Sequence, residues 1–184
     1  VVVVIHEIFG LSTWVRGVAD QLAADGFIAV APDLLSRVRG GPSSDELKSD
    51  SARKLIQGVN VTEMNRGVFA AANYGMSLPA AKNSYGVVGY CWGGSATFNH
   101  AVFNGKRFDG GVVYYGTSAA RDSMPKIKAP VLGLYGGNDA RVNATIGWAD
   151  TTMRALKKSY TYKIFDGAGH GFLRAQDQPA NLEA

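Results

Sequence analysis

The sequence predicts a three-layer α/β fold, in which helices flank both faces of a mostly parallel sheet. Short β-branched runs alternate with longer segments of helical period, a pattern typical of βαβ units. The strand candidates are continuous apolar runs rather than alternating ones, which indicates strands covered on both faces. The 184 residues contain no internal repeat, low-complexity tract or long linker, so we expect one domain over residues 1–184.

Six short segments rich in β-branched and aromatic residues are predicted as strands. They are Val1–Ile5, Phe27–Ala31, Tyr85–Tyr90, Gly110–Tyr115, Val131–Tyr135 and Thr161–Phe165. Ligands of such sheets bind outside the carboxyl ends of the strands. Functional residues are therefore expected just after these segments.

Helical period and capping residues predict the helices between the strands. Ser12 or Thr13 caps the first helix, which Gly26 ends, and Ser43 or Ser44 caps the second. The other predicted helices are Val61–Tyr74, Trp92–Asn104 and Asn143–Lys157, and the predicted mobile loop is Leu34–Pro42. The result is a regular alternation of strands and helices along the chain.

Composition excludes several function classes. The net charge of +4 comes from scattered basic residues with no Lys/Arg run, so we expect no nucleic-acid partner, while a mild preference for anionic substrates stays open. One cysteine excludes an internal disulfide and a Cys-based structural zinc site. His6 and His100 lack partners at metal-ligand spacing. We therefore predict neither a metal nor a cofactor.

The apolar runs are too short to span a bilayer, so no membrane association is expected. The chain opens without Met in the strand-like VVVVI, which suggests that the natural N-terminus is missing. A cytoplasmic location is favoured, with a cleaved export signal left open. A monomer is favoured over an oligomer.

The only cysteine, Cys91, lies between a predicted strand and a predicted helix, with Gly89 two residues before it and Gly93 two residues after. This is the setting of a nucleophile elbow, whose tight turn excludes bulky residues at those two positions. A helix N-terminus there would favour a thiolate. The alternative is a buried core thiol. A dinucleotide loop is rejected, because the G-x-G-x-x-G spacing is absent.

An acid and a histidine follow Cys91 in the chain order of α/β-hydrolases. Asp139 and His170 each lie in a glycine-rich loop just after a predicted strand. His170 would act as the base toward the thiol, and Asp139 would fix its tautomer. Asp166, which precedes the same histidine, is a rival for the acid.

Five motifs in the same order resemble the dienelactone hydrolases (carboxymethylenebutenolidases), cysteine hydrolases of the α/β-hydrolase superfamily. They are HEIFG at 6–10, APDLLSR at 31–37, GYCWGG at 89–94, GGND at 136–139 and GHGFLR at 169–174. The resemblance covers nearly the whole chain. It implies that the opening strands and the closing helix of the family fold are absent from this sequence.

The resemblance also implies roles for residues outside the Cys91–His170–Asp139 set. Glu7 matches a glutamate that contacts the nucleophile and helps to switch its ionisation when substrate binds. The backbone N–H groups of Ile8 and Trp92 match the oxyanion hole. Arg174 matches an arginine that binds the substrate carboxylate, a task suited to a planar bidentate donor.

Two positions depart from the family pattern. Ser49 aligns with a second carboxylate-binding arginine, and Arg53, one turn away, is the candidate replacement. His6 replaces a polar residue of the best-known members. These departures leave the substrate open between dienelactone and other small esters or lactones.

We therefore predict a cofactor-independent cysteine hydrolase that cleaves a small, carboxylate-bearing ester or lactone through a thioester intermediate. One alternative is a non-catalytic protein of the same fold that binds a small acid. Another is a thioesterase or a different acyl hydrolase, because acyl transfer uses the same residues.

Overall fold

Six parallel strands form the sheet of the computed structural model, which describes residues 1–103 and 105–175. The strands are β1 (Val2–Ile5), β2 (Ala29–Val30), β3 (Tyr85–Tyr90), β4 (Phe108–Tyr114), β5 (Val131–Gly136) and β6 (Tyr160–Phe165). Their order across the sheet is β2-β1-β3-β4-β5-β6. All six predicted strands are present, with β2 shorter than expected. The predicted fold class is confirmed.

Helices connect the strands. They are α1 (Thr13–Ala24), α2 (Ser36–Arg39), α3 (Ser49–Gln57), α4 (Val61–Ser77), α5 (Trp92–Phe103), α6 (Ala140–Asn143), α7 (Ile146–Ala155) and α8 (Phe172–Ala175), with a 3₁₀ helix at Arg121–Lys126. Asn104, the last residue of the predicted fourth helix, lies outside the described residues. None of the helices in the described ranges is long and apolar enough to cross a bilayer.

Side chains on opposite faces of the sheet form two apolar clusters. Ile5 of β1 packs in the larger cluster with Val68 of α4 and Phe98 of α5. Val4, the residue before Ile5, packs in the other cluster with Val15 of α1. Fully burying each of these large apolar side chains contributes about 1.5–3 kcal/mol. The sheet is thus held between two helical layers, with β3 and its loop to α5 near the centre.

The edge strand β6 is not covered as predicted. Most of its residues are exposed, including Tyr162 and Ile164, which are 38% and 40% accessible. Among the described residues, the strand pairs with β5 alone and lies at the end of the sheet. Its apolar run therefore reflects the β-propensity of an edge strand rather than burial on both faces.

The predicted cap of the second helix is wrong. Helix α3 begins at Ser49, after Lys48, which provides no side-chain cap. Ser43 instead binds Asp33: its backbone N–H donates to Oδ2 at 2.6 Å and its hydroxyl donates to Oδ1 at 2.7 Å. The hydroxyl of Ser44 accepts from Arg39 at 3.0 Å. Both serines lie in the loop between α2 and α3, before Lys48, and so are too far from Ser49 to cap α3.

Two other boundaries differ from the prediction. The stretch Leu34–Pro42 is not all loop, since α2 lies within it and Leu35 is fully buried. The helix predicted over Asn143–Lys157 corresponds to α7, which begins at Ile146, and Asn143 instead ends the short helix α6. The backbone N–H and the hydroxyl of Thr145 both bind the Val142 carbonyl, which ends α6 before α7 begins.

Candidate active site

Cys91 lies at the turn between β3 and α5, at the carboxyl end of the sheet. Its φ of 57° is in the left-handed region that non-glycine residues rarely adopt, so the backbone here is strained. A Cβ on Gly89 would overlap the carbonyl oxygen of Gly93, and a Cβ on Gly93 would overlap the carbonyl oxygen of Ile5. Glycine at both positions therefore allows the strand, the turn and the helix to approach this closely.

Cys91, His170 and Asp139 lie in a chain of contacts. The Asp139 carboxylate accepts from His170 Nδ1–H at 2.5 Å, and His170 Nε2 lies 3.0 Å from Cys91 Sγ. Because a carboxylate can only accept, it fixes the proton on Nδ1 and directs the unprotonated Nε2 at the sulfur. Asp139 is buried, whereas Asp166, the rival acid, is exposed. The structure thus joins Asp139, and not Asp166, to His170.

Two backbone N–H groups act on the Cys91 thiol. The N–H groups of Ile8 and Trp92 lower the pKa of the Cys91 thiol by hydrogen bonding to it. Burial acts in the opposite direction and is the largest effect, and the negative charge of Glu7 adds to it. The net result is a thiol pKa above its ordinary value. The thiol is therefore mostly protonated at neutral pH in this arrangement.

Glu7 and Arg174 form an ion pair beside the thiol. Arg174 Nε donates to Glu7 Oε2 at 2.6 Å. Glu7 is 4% exposed, and burial raises the pKa of its carboxyl, while the charge and the hydrogen bond of Arg174 lower it. Arg174 is half exposed, and its guanidinium lies 5.6 Å from the ring centroid of Phe9. Arg174 thus pairs with Glu7 while 42% of its side chain stays exposed.

Two further residues, which the sequence-based reasoning did not select, border the site. Tyr115 is buried with a φ of 39°, and its ring centroid lies 5.3 Å from that of His170. The positive charge of Arg141 lowers the pKa of the Cys91 thiol. The available signals were positional, since Tyr115 ends a predicted strand and Arg141 follows Asp139 by two residues.

A family model described as the dienelactone hydrolase family matches residues 1–184. The chain belongs to the dienelactone hydrolase family. The family and the fold class suggested by the motifs are both confirmed.

Named relatives of the dienelactone hydrolase family agree with this assignment. A putative carboxymethylenebutenolidase of Methylorubrum extorquens is 32% identical over 93% of this chain, which spans 62% of that protein's length. The carboxymethylenebutenolidase of Pseudomonas putida is 31% identical over 95% of this chain and 75% of its own length. These relatives support the prediction of a hydrolase that acts on esters or lactones.

A solved structure agrees as well. The crystal structure of a putative dienelactone hydrolase from Klebsiella pneumoniae superposes with a TM-score of 0.86 at 25% identity, covering 99% of this chain and 81% of that one.

Not every predicted site residue joins the cluster around Cys91. Arg53 lies exposed on α3 and takes part in none of the site contacts described above, so its role toward a substrate anion stays a prediction. Within residues 1–103 and 105–175, no group of three or more His, Cys, Asp or Glu side chains is arranged to hold a metal ion.

Proposed function

We propose that this chain hydrolyses a small ester or lactone that bears a carboxylate, with Cys91 as the nucleophile and His170 and Asp139 as its base and orienting acid. The observation that carries the proposal is the contact chain from Asp139 through His170 to a cysteine held at positive φ. A buried thiol that only fills space requires neither a strained backbone nor contact with a histidine, whereas strained residues cluster at functional sites. We further propose that one domain over residues 1–184 carries this activity.

The first half of the reaction forms a thioester. The thiol proton passes to His170 Nε2, 3.0 Å away, and the thiolate adds to the substrate carbonyl carbon. The carbonyl π electrons move to oxygen, and we expect the N–H groups of Ile8 and Trp92, which already act on the Cys91 thiol, to bind that oxyanion. The intermediate collapses, the C–O bond breaks, and His170 gives its proton to the leaving alkoxide. The product is a Cys91 thioester.

The second half returns the free enzyme. His170 accepts a proton from water, and the resulting hydroxide equivalent adds to the thioester carbonyl. The same two N–H groups bind the second oxyanion. Its collapse breaks the C–S bond, releases the carboxylic acid, and returns the proton to the sulfur. The Asp139 carboxylate holds the imidazole in place and stabilises its charged form throughout.

The ion pair of Glu7 and Arg174 links substrate charge to thiol ionisation. In the free protein, the charge of Glu7 raises the thiol pKa, and Arg174 opposes the burial that raises the pKa of Glu7 itself, which favours the charged carboxylate. A substrate carboxylate that binds Arg174 weakens the effect of the Arg174 charge on Glu7. The buried Glu7 then takes up a proton, and its charge no longer opposes formation of the thiolate. A carboxylate on the substrate is therefore expected to assist the chemical step as well as binding.

A hydrolysis screen tests the proposal. Matched aryl esters and lactones, with and without a carboxylate, are assayed with the wild-type protein and with Cys91→Ala. We expect wild-type turnover, highest for the carboxylate-bearing members, and none above background for the variant. A wild-type protein no more active than the variant would overturn the proposal and favour the small-acid-binding alternative. Aryl thioesters included in the same screen distinguish a thioesterase, which would prefer them to the oxygen esters.

A further inference from the structure

His6 is a fully buried histidine whose two ring nitrogens are both engaged. The backbone N–H of Leu34 donates to His6 Nε2 at 3.0 Å. Nε2 is therefore unprotonated, and the proton lies on Nδ1, which donates to the backbone carbonyl of Glu7 at 2.6 Å. Burial lowers the pKa of His6, in keeping with this neutral ring. The side chain acts as a fixed link between the Leu34 N–H and the Glu7 carbonyl.

The carbonyl that His6 binds belongs to the same peptide unit as the Ile8 N–H. That unit is planar, and its C=O and N–H point in opposite directions because the peptide is trans. The Glu7 carbonyl also accepts a longer contact from the Gly10 N–H, at 3.4 Å, so His6 is its closer donor. Holding this carbonyl fixes the direction of the Ile8 N–H, whose hydrogen bonding lowers the pKa of the Cys91 thiol. The link from Leu34 through His6 also polarises this peptide, which makes Ile8 a stronger donor.

His6 also touches the residue that carries the second donor. Its ring stacks on the Trp92 ring with centroids 5.6 Å apart and planes 18° from parallel. We infer that His6 is a positioning residue. It directs the Ile8 N–H at the oxyanion of the reaction, and it supports Trp92, whose N–H is the second donor. This inference rests on the proposed function. His6 itself does not touch the reacting atoms.

Three substitutions separate the contacts of His6. His6→Leu fills the buried space with an apolar side chain and removes both hydrogen bonds. His6→Asn places an amide N–H near the position of Nδ1 and so retains a donor to the Glu7 carbonyl, while losing the ring. His6→Gln places its amide near Nε2 and leaves that carbonyl with only the longer contact from the Gly10 N–H, at 3.4 Å. The matched control is His100→Leu, because His100 is equally buried and also binds a partner through each ring nitrogen, at Asn65 and Tyr85.

Two rates are compared for each folded variant. One is kcat for an aryl ester. The other is the limiting rate of Cys91 alkylation by iodoacetamide at high pH, a displacement that develops no oxyanion. For His6→Leu we expect kcat to fall about tenfold to a hundredfold, since losing one oxyanion donor outright costs on the order of a hundredfold or more. KM and the alkylation rate should change little. His6→Asn should recover most of kcat, and His100→Leu should keep it even where its stability falls.

The outcomes are distinguishable. A wild-type protein that hydrolyses the ester, together with a His6→Leu variant of equal kcat, would overturn this inference alone. An equal loss of kcat in His100→Leu would do the same, because it would assign the effect to general destabilisation. If His6→Leu does not fold, the comparison of His6→Asn with His6→Gln tests the inference instead. Equal kcat values in these two variants would overturn it. A wild-type protein without turnover would overturn the proposed function, and this inference with it.

Discussion

Arg174 donates to Glu7 at 2.6 Å across a sequence separation of 167 residues. The contact joins the loop after the first strand to the last helix that the structure describes. Burial raises the pKa of the Glu7 carboxyl, and the charge of Arg174 opposes this effect. The negative charge of Glu7 in turn adds to the burial that raises the pKa of the Cys91 thiol. The ion pair is thus placed to link a ligand at Arg174 to the state of the nucleophile.

Replacing Arg174 is expected to reduce selectivity for charged substrates. In Arg174→Gln, kcat/KM for a carboxylate-bearing ester should fall about tenfold to a hundredfold more than kcat/KM for its neutral counterpart, because a charged hydrogen bond contributes about 1.5–3 kcal/mol. Steady-state kinetics on the matched pair measure this. Arg154→Gln is the control, since Arg154 forms an exposed ion pair with Asp150 on α7. Equal losses on both esters would show that Arg174 is not the anion-binding residue.

Removing the charge of Glu7 is expected to make Cys91 more acidic. The wild-type thiol pKa lies above its ordinary value, and the negative charge of Glu7 is one of the causes. Glu7→Gln should therefore shift the pH midpoint of iodoacetamide alkylation downward, whereas Arg141→Gln, which removes a nearby positive charge, should shift it upward. Alkylation followed by mass spectrometry reports only Cys91, because the chain has one cysteine. An unchanged or raised midpoint in Glu7→Gln would contradict this electrostatic account.

The elbow is expected to tolerate no side chain at Gly93. In Gly93→Ala the new Cβ would overlap the Ile5 carbonyl, so α5 must move away from β1, and the free energy of unfolding should fall by more than about 2 kcal/mol. Gly17 of α1 has open space around it. Gly17→Ala should therefore raise stability by about 0.5–1 kcal/mol. Urea unfolding of both variants checks the pair, and similar stabilities would contradict the packing described at the elbow.

The sequence was sufficient to predict the local parts of the site. The turn at Cys91 depends on glycines two residues away, and Asp139 and His170 follow strands whose ends meet at one edge of the sheet. Such features need only local pattern and chain order. The same reasoning predicted six strands in a parallel sheet.

Features that depend on tertiary contacts were not predictable in this way. Ser43 resembles a helix cap in sequence, but the carboxylate of Asp33 binds it from another loop. His6 has no partner at metal-ligand spacing, so the sequence assigned it no role. Its bond to the Glu7 carbonyl requires a proton on Nδ1, which the N–H of Leu34, 28 residues away, ensures by binding Nε2. The resemblance to a family, rather than any spacing rule, brought Glu7 and Arg174 into consideration.

The most direct test of the central claim is the mass of the protein during turnover. Wild-type protein is mixed with excess p-nitrophenyl acetate, quenched in acid at short times, and analysed by intact and peptide mass spectrometry. The proposal predicts one acetyl group per chain, located on Cys91, with a matching burst of nitrophenol, and neither adduct nor burst in Cys91→Ala. Turnover that persists in Cys91→Ala, or an adduct on another residue, would contradict the assignment of Cys91 as the nucleophile.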